Sequence, residues 1–136
     1  MTPIRTAANT ALKAIKAGSY ARAIAITPDG KAAYVANMDS GLSLGTVTPI
    51  RTAGNTALKA IKVGENPGPI AITPDGRTAY VANESSDRVT PIRTAANTAL
   101  KAIRVAASGT VALWHSWAAS REWSACSAGQ IVAARL

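Results

Sequence analysis

Residues 46–95 read TVTPIRTAGNTALKAIKVGENPGPIAITPDGRTAYVANESSDRVTPIRTA, a stretch that begins again before it ends. Thr48-Pro49-Ile50-Arg51-Thr52 returns as Thr90-Pro91-Ile92-Arg93-Thr94 and has already occurred as Thr2-Pro3-Ile4-Arg5-Thr6. Ile26-Thr27-Pro28-Asp29-Gly30 returns as Ile72-Thr73-Pro74-Asp75-Gly76, and Ala33-Tyr34-Val35-Ala36-Asn37 as Ala79-Tyr80-Val81-Ala82-Asn83. The copies lie 46 residues apart, or 42 for the last return of the Thr-Pro-Ile-Arg-Thr segment, because Asn37 to Thr48 is four residues longer than Asn83 to Thr90. A fixed period in the low forties is the length of a four-stranded propeller blade, so the expected fold class is all-β, a partial β-propeller of antiparallel blades.

Turn chemistry divides each copy into four short segments. Pro69-Ile70-Ala71-Ile72-Thr73 is a β-like run ended by Pro74-Asp75-Gly76, where Pro presets φ, Asp bonds back to the backbone and Gly takes the left-handed position. Residues 77–83 then alternate, with Thr78, Tyr80 and Ala82 on one face and Ala79 and Val81 on the other, so the two runs read as a hairpin. Glu84-Ser85-Ser86-Asp87 is a polar turn, and residues 88–93 form a third extended run in which Pro91 removes one ladder donor. The last segment carries conflicting signals. Asn97 or Thr98 before an Ala-, Leu- and Lys-rich run looks like a capped helix by propensity, as does the copy at 57–62. The repeat context argues for an outer strand, which is the reading adopted.

These motifs, with Asn-Thr-Ala and a Val-Gly ending, resemble the YVTN family of β-propeller repeats. The matching residues are Pro28, Asp29, Gly30, Tyr34, Val35 and Asn37 in one copy, and Pro74, Asp75, Gly76, Tyr80, Val81 and Asn83 in the other. The resemblance covers residues 2 to about 105. It implies four strands per blade, with Pro-Ile-Ala-Ile innermost and Ala-Leu-Lys-Ala-Ile outermost, and it gives these motif residues a structural role. It also suggests a secreted or cell-surface origin. Strand counting gives half a blade (2–17), two blades (22–63 and 68–105) and a divergent tail (106–136), irregular or helical. Copy one departs from copy two by Ser19-Tyr20-Ala21-Arg22-Ala23 in place of Glu65-Asn66-Pro67-Gly68-Pro69 and by the longer linker at 38–45.

Two and a half blades do not close a ring, since propellers have about 4–8. The chain is therefore expected to be a piece of a longer propeller, a self-associating unit using open blade faces, or a degenerate product. The repeat pattern stops after Trp114, and all three Trp lie at or beyond it. Loss of reading frame there would leave further repeat copies in a downstream frame of the DNA, and their absence would count against it.

Composition excludes several chemistries. Of 136 residues, 48% are hydrophobic, but many are Ala and none is Phe, so the core must rest on Ile, Val, Leu and a few aromatics. No apolar run approaches the roughly 20 residues of a membrane helix, and the opening residues lack a secretory pattern. A single Cys126 and a single His115 leave no Cys/His metal site and no nucleophile–base pair. The net charge of +8 follows from Lys and Arg copied with each repeat, and no basic surface interleaved with aromatics is visible, so nucleic acid is not the expected partner. Asp29 and Asp75 read as turn residues, and Asp39, Glu84 and Asp87 as solvated linkers. No cofactor is expected.

The resulting expectation is a noncatalytic propeller module that binds an unidentified protein or itself. The alternatives are a remnant of a propeller enzyme, lactonase-like or a cofactor-dependent oxidoreductase as the resemblance implies, and a basic anion-binding surface.

Overall fold

The computed structural model describes residues 1–38 and 44–105, so the expectations for the tail, His115 and Cys126, and for most of the long linker with Asp39, lie outside the described residues. Twelve short strands and one 3₁₀ turn (Thr52–Gly54) make up the regular structure there. The fold is all-β. No described helix is long and apolar enough to cross a membrane.

The first complete sheet runs from β3 (Ala21–Ile26) through β4 (Ala32–Asn37) to β5 (Leu44–Arg51). Its fourth strand is broken into β6 (Thr56–Ala57) and β7 (Ile61–Glu65), both paired with β5. The second sheet repeats this with β8 (Pro67–Ile72), β9 (Thr78–Asn83), β10 (Arg88–Arg93), β11 (Thr98–Ala99) and β12 (Ile103–Arg104). All pairings are antiparallel. Before them, β1 (Ile4–Arg5) and β2 (Thr10–Ala11) form a two-stranded ribbon, continued by a bond from Ile15 N–H to Met1 O at 2.8 Å.

The break in each outer strand has a covalent cause. Pro49 and Pro91 face the outer strand, where their carbonyls accept from Leu58 N and Leu100 N at 2.8 Å. The same residues lack the N–H that would return the bond, so the ladder stops and resumes a few residues on. The Ala/Leu/Lys run is thus extended rather than helical. Asn55 and Asn97 adopt φ of 48° and 50° in the preceding turns instead of capping a helix. Ile61 and Val63 then alternate into the core, which a helix through these residues would not allow.

Packing lies between sheets. Tyr34, Ala36 and Val47 of the first sheet meet Ile70, Ala79 and Val81 of the second in one cluster, with Ile61, Val63 and Ile92 completing it. On its opposite face the first sheet presents Ala33, Val35 and Ile50 to Ile15 and Ala17 of the N-terminal segment. The alternation expected at 77–83 is present, with Ala79 and Val81 in one cluster and Tyr80 and Ala82 in another, and β4 divides in the same way, so that both of its faces are covered. Burial pushes the Tyr34 hydroxyl above its ordinary pKa. That hydroxyl crosses the junction, donating to Asn97 Oδ1 at 2.7 Å with Thr94 O at 3.3 Å.

Asn83 ties the junction at the other end. Its Oδ1 accepts from Gly64 N at 3.0 Å, and its Nδ2 donates to Thr90 Oγ1 at 2.8 Å. A Cβ on Gly64 would stand 2.7 Å from Asn83 Cγ, so the close approach requires glycine. Asn37 repeats the bond to Thr48 Oγ1 at 3.0 Å, but its buried Oδ1 has no partner. The matching Gly18 also stands against the Asn37 carboxamide, where a Cβ would lie 2.6 Å from Cγ, but at φ +103° it makes no hydrogen bond to Oδ1.

The two copies offer an internal control. Ile70 is fully buried while Ile24, its equivalent, is 48% exposed. Replacing Ile70 by Ala should cost about 2–5 kcal/mol, and the same change at Ile24 less than about 0.5 kcal/mol. Tyr34→Phe, which removes one hydrogen bond and little volume, should cost about 1 kcal/mol. Urea midpoints at constant m-value measure all three.

Candidate functional site

The blades have two ends with different chemistry. One end collects the Pro-Asp-Gly turns between the first and second strands and the turns preceding β6 and β11. In the first of these, Thr27 Oγ1 donates to Asp29 Oδ1 at 2.7 Å and accepts from Ala32 N at 3.0 Å, while Lys31 N donates to the same carboxylate at 3.1 Å. Gly30 takes φ +69°. Thr73, Pro74, Asp75, Gly76 and Arg77 repeat the arrangement, with Arg77 N on Asp75 Oδ1 at 2.9 Å and Gly76 at φ +71°. Thr52 and Thr94 cross-link the two kinds of turn through Gly30 O and Gly76 O at 2.6 and 2.7 Å.

Asp29 and Asp75 both line a cleft of about 550 Å³ at this end, together with Tyr34 and Thr94. Each carboxylate is already engaged by its own turn. The Thr27 hydroxyl, then the Lys31 amide, hold Asp29 below the ordinary carboxylate range, and Thr73 with the Arg77 amide do the same for Asp75. Among the described residues no group of three or more His, Cys, Asp or Glu could hold a metal ion. The sequence motif residues are therefore placed as follows: Pro28, Asp29, Gly30, Pro74, Asp75 and Gly76 in turns, Tyr34, Val35, Tyr80 and Val81 in the sheet faces, and Asn37 and Asn83 at the blade junctions.

The other end carries a polar cluster that the motif search missed. Arg22, at the start of β3, donates to Asn66 Oδ1 at 2.6 Å and pairs with Glu84 Oε2 at 3.4 Å. Asn66 Nδ2 donates to Glu84 Oε2 at 3.2 Å, and Glu84 N donates to Asn66 O at 3.1 Å. Asn66 holds φ 50° in the turn between β7 and β8, which presents its carboxamide to both charged groups. The Glu84 carboxylate lies against the Gly68 backbone, where any Cβ would collide with it. Arg22 and Glu84 side chains are 40% and 24% exposed, so the cluster is reachable from solvent.

Glu84 thus corrects the reading of a solvated linker residue. The turn at Asn66 and the stacking of two blades bring it within reach of an Arg 62 residues earlier in the chain. All three positions differ between the copies: Tyr20 stands where Asn66 does, Gly68 where Arg22 does, and Met38 where Glu84 does. The comparison of the copies already marked Arg22 and Asn66 as departures, but no spacing in the sequence shows that Glu84 meets them.

The family model described as "Lactonase, 7-bladed beta-propeller" matches residues 2–114. The chain belongs to this lactonase-type propeller family. Hydrazine synthase of Kuenenia stuttgartiensis is similar in structure at 26% identity and a TM-score of 0.63, over 76% of this chain and 29% of that one. A "putative 6-phosphogluconolactonase" from Bacteroides fragilis NCTC 9343 is similar at 22% identity and a TM-score of 0.64, over 76% of this chain and 33% of that one. No curated protein matches. The chain spans about a third or less of the length of these solved structures.

The lactonase family match overturns the expectation of a noncatalytic interaction module. That expectation rested on scarce His and acidic residues and on the small number of blades, whereas the family match rests on the repeat itself.

The turn aspartates generate a pH prediction. Their folded-state pKa lies below the ordinary 3.8. Their contribution is therefore complete above that value and is lost as pH falls through the lower folded-state value. Thermal melts should show stability dropping as pH is lowered beyond about 3.8. In the D29N/D75N double variant, where Asn still accepts the backbone bonds, the drop should be shallower.

Proposed function

We propose that this chain supplies blades of the YVTN-repeat type to a lactone-hydrolysing propeller, with Arg22, Asn66 and Glu84 as its polar site. The observation that carries the reading is the cluster itself. In a lactonase-family chain, the charged residues that bridge two blades occupy positions that the repeat does not require for folding. Loops held on a rigid scaffold are the usual place for function, and the opposite end spends its polar groups on its own turns.

Lactone opening needs an activated water and stabilisation of the oxygen that becomes negative. Glu84 has the chemistry of the base: its carboxylate accepts a proton as water adds to the ring carbonyl carbon. Arg22 has the chemistry of the stabiliser, since its guanidinium donates to the developing oxyanion and also suits an anionic substituent on the lactone. Collapse of the tetrahedral species breaks the ring C–O bond. The alkoxide then takes the proton back from Glu84, giving a hydroxy acid with no other reactant. Asn66 positions both charged groups through its two hydrogen bonds.

Hydrolysis of aliphatic and phosphorylated γ- and δ-lactones, followed by proton release, tests this. Glu84→Gln should lower kcat by about 100-fold or more, the size expected of a general base. Arg22→Lys should lower kcat/KM by about tenfold or more, because it keeps the charge but loses the fork. Far-UV circular dichroism should remain unchanged in both. Turnover by the wild type that survives both substitutions would overturn the assignment.

A further inference from the structure

The junction between the N-terminal segment and the first complete blade repeats the outer half of the junction between the two blades. Ile15, Ala17 and Val35 cluster in the first as Ile61, Val63 and Val81 do in the second. The second cluster also holds Tyr34 and Ala36 of β4, which pack with Ile70. Ile24 has the place of Ile70, pairing with Val35 as Ile70 pairs with Val81. It is 48% exposed, and Ile26 on the same strand is 59% exposed. Two further features belong to the same inner half. Among the described residues β1 pairs with β2 alone, whereas its copies β5 and β10 also pair with β4 and β9. Pro3 O serves the outer side, accepting from Leu12 N at 2.8 Å, so the adjoining Ile4 N–H points to the unpaired edge. Asn55 has the left-handed turn conformation of Asn97, at φ 48° and 50°, but it is exposed and receives no tyrosine hydroxyl among the described residues.

We propose that the β1 edge and the Ile24–Ile26 face together form an acceptor site for a β-hairpin of a second polypeptide, of the type seen at residues 67–83. The second strand of the hairpin adds to β1, its Tyr-Val-Ala-Asn segment lays Tyr and the last Ala over Ile24, and its Tyr hydroxyl donates to Asn55 Oδ1. The internal junction is the argument for this occupant. There the β3–β4 hairpin meets the same three features: β4 pairs with β5, packs Tyr34 and Ala36 on Ile70, and donates from Tyr34 to Asn97 Oδ1 at 2.7 Å. A hairpin fits where a whole blade does not, because Ile15 and Ala17 already hold the outer half of the junction. Strand addition supplies main-chain hydrogen bonds for affinity, and the alternating side chains supply specificity. Covering two half-exposed isoleucines removes further apolar area from water. The inference is independent of the lactonase reading, since its test reads peptide binding and not hydrolysis.

Fluorescence anisotropy of a labelled peptide of residues 67–83, added to the full chain, tests it. Binding should saturate at one peptide per chain. The I24K/I26K variant should raise the dissociation constant by more than about tenfold, with unchanged circular dichroism because both positions are exposed. Amide exchange at Ile4 should slow when the peptide is bound. A double-variant cycle reads the register. A peptide carrying Tyr80→Phe should bind the wild-type chain about three- to tenfold more weakly, and Asn55→Gly, which keeps the left-handed turn, should erase that difference. Absence of binding, binding indifferent to I24K/I26K, or a Tyr80→Phe effect that survives Asn55→Gly would each overturn the proposal. So would a self-associated wild type that I24K/I26K dissociates and that excludes the peptide, since the occupant would then be a second copy of the chain.

Discussion

The packing of one blade on the next is the interaction on which the rest of the structure depends. A four-stranded sheet of this length has too little area to bury on one side alone, so β4 is apolar on both faces and serves two interfaces at once. Stacked sheets keep a separation of about 10 Å, which small side chains allow and large ones must interlock to fill. Ala36 and Ala79 provide the first condition, and Tyr34 with Ile70 the second. The alanine-rich composition without Phe belongs to this geometry. It gives a core built of many modest contacts between sheets and makes each blade's stability conditional on its neighbour.

Polar groups finish what the apolar contacts begin. At the second junction Asn83 satisfies its carbonyl with the Gly64 amide, and Tyr34 places its hydroxyl on Asn97. At the first junction the equivalent Asn37 oxygen is buried without a partner, although Gly18 stands against the same carboxamide. The two junctions have nearly the same residues and differ in how completely they are made. A buried carbonyl without a donor is costly, so the N-terminal junction is the weaker of the two.

Repetition and divergence separate the scaffold from the polar cluster. Residues that recur in both copies close turns, fill the sheet faces or tie junctions, and they do so at equivalent places. The residues that do not recur, Arg22, Asn66 and Glu84, meet at the end of the blades where the strands' other connections lie. A blade repeat duplicates its scaffold automatically.

The amino-acid sequence alone determined the repeat, the strand–turn order and the alternation of faces. These depend on interactions spanning a few residues: proline fixing φ, aspartate bonding its own turn, glycine at positive φ, and side chains that alternate along a strand. It also located the prolines that interrupt each outer strand. For the Ala/Leu/Lys run, local propensity pointed to a helix and the repeat context to an outer strand; the strand holds, and the tertiary structure supplies the reason, the burial of Ile61 and Val63 between sheets. Only the tertiary structure assembled the polar cluster. Arg22 and Glu84 carry no local pattern, and they meet because two blades stack with β3 beside β8. Contacts of that kind are products of topology, which no short window of sequence contains.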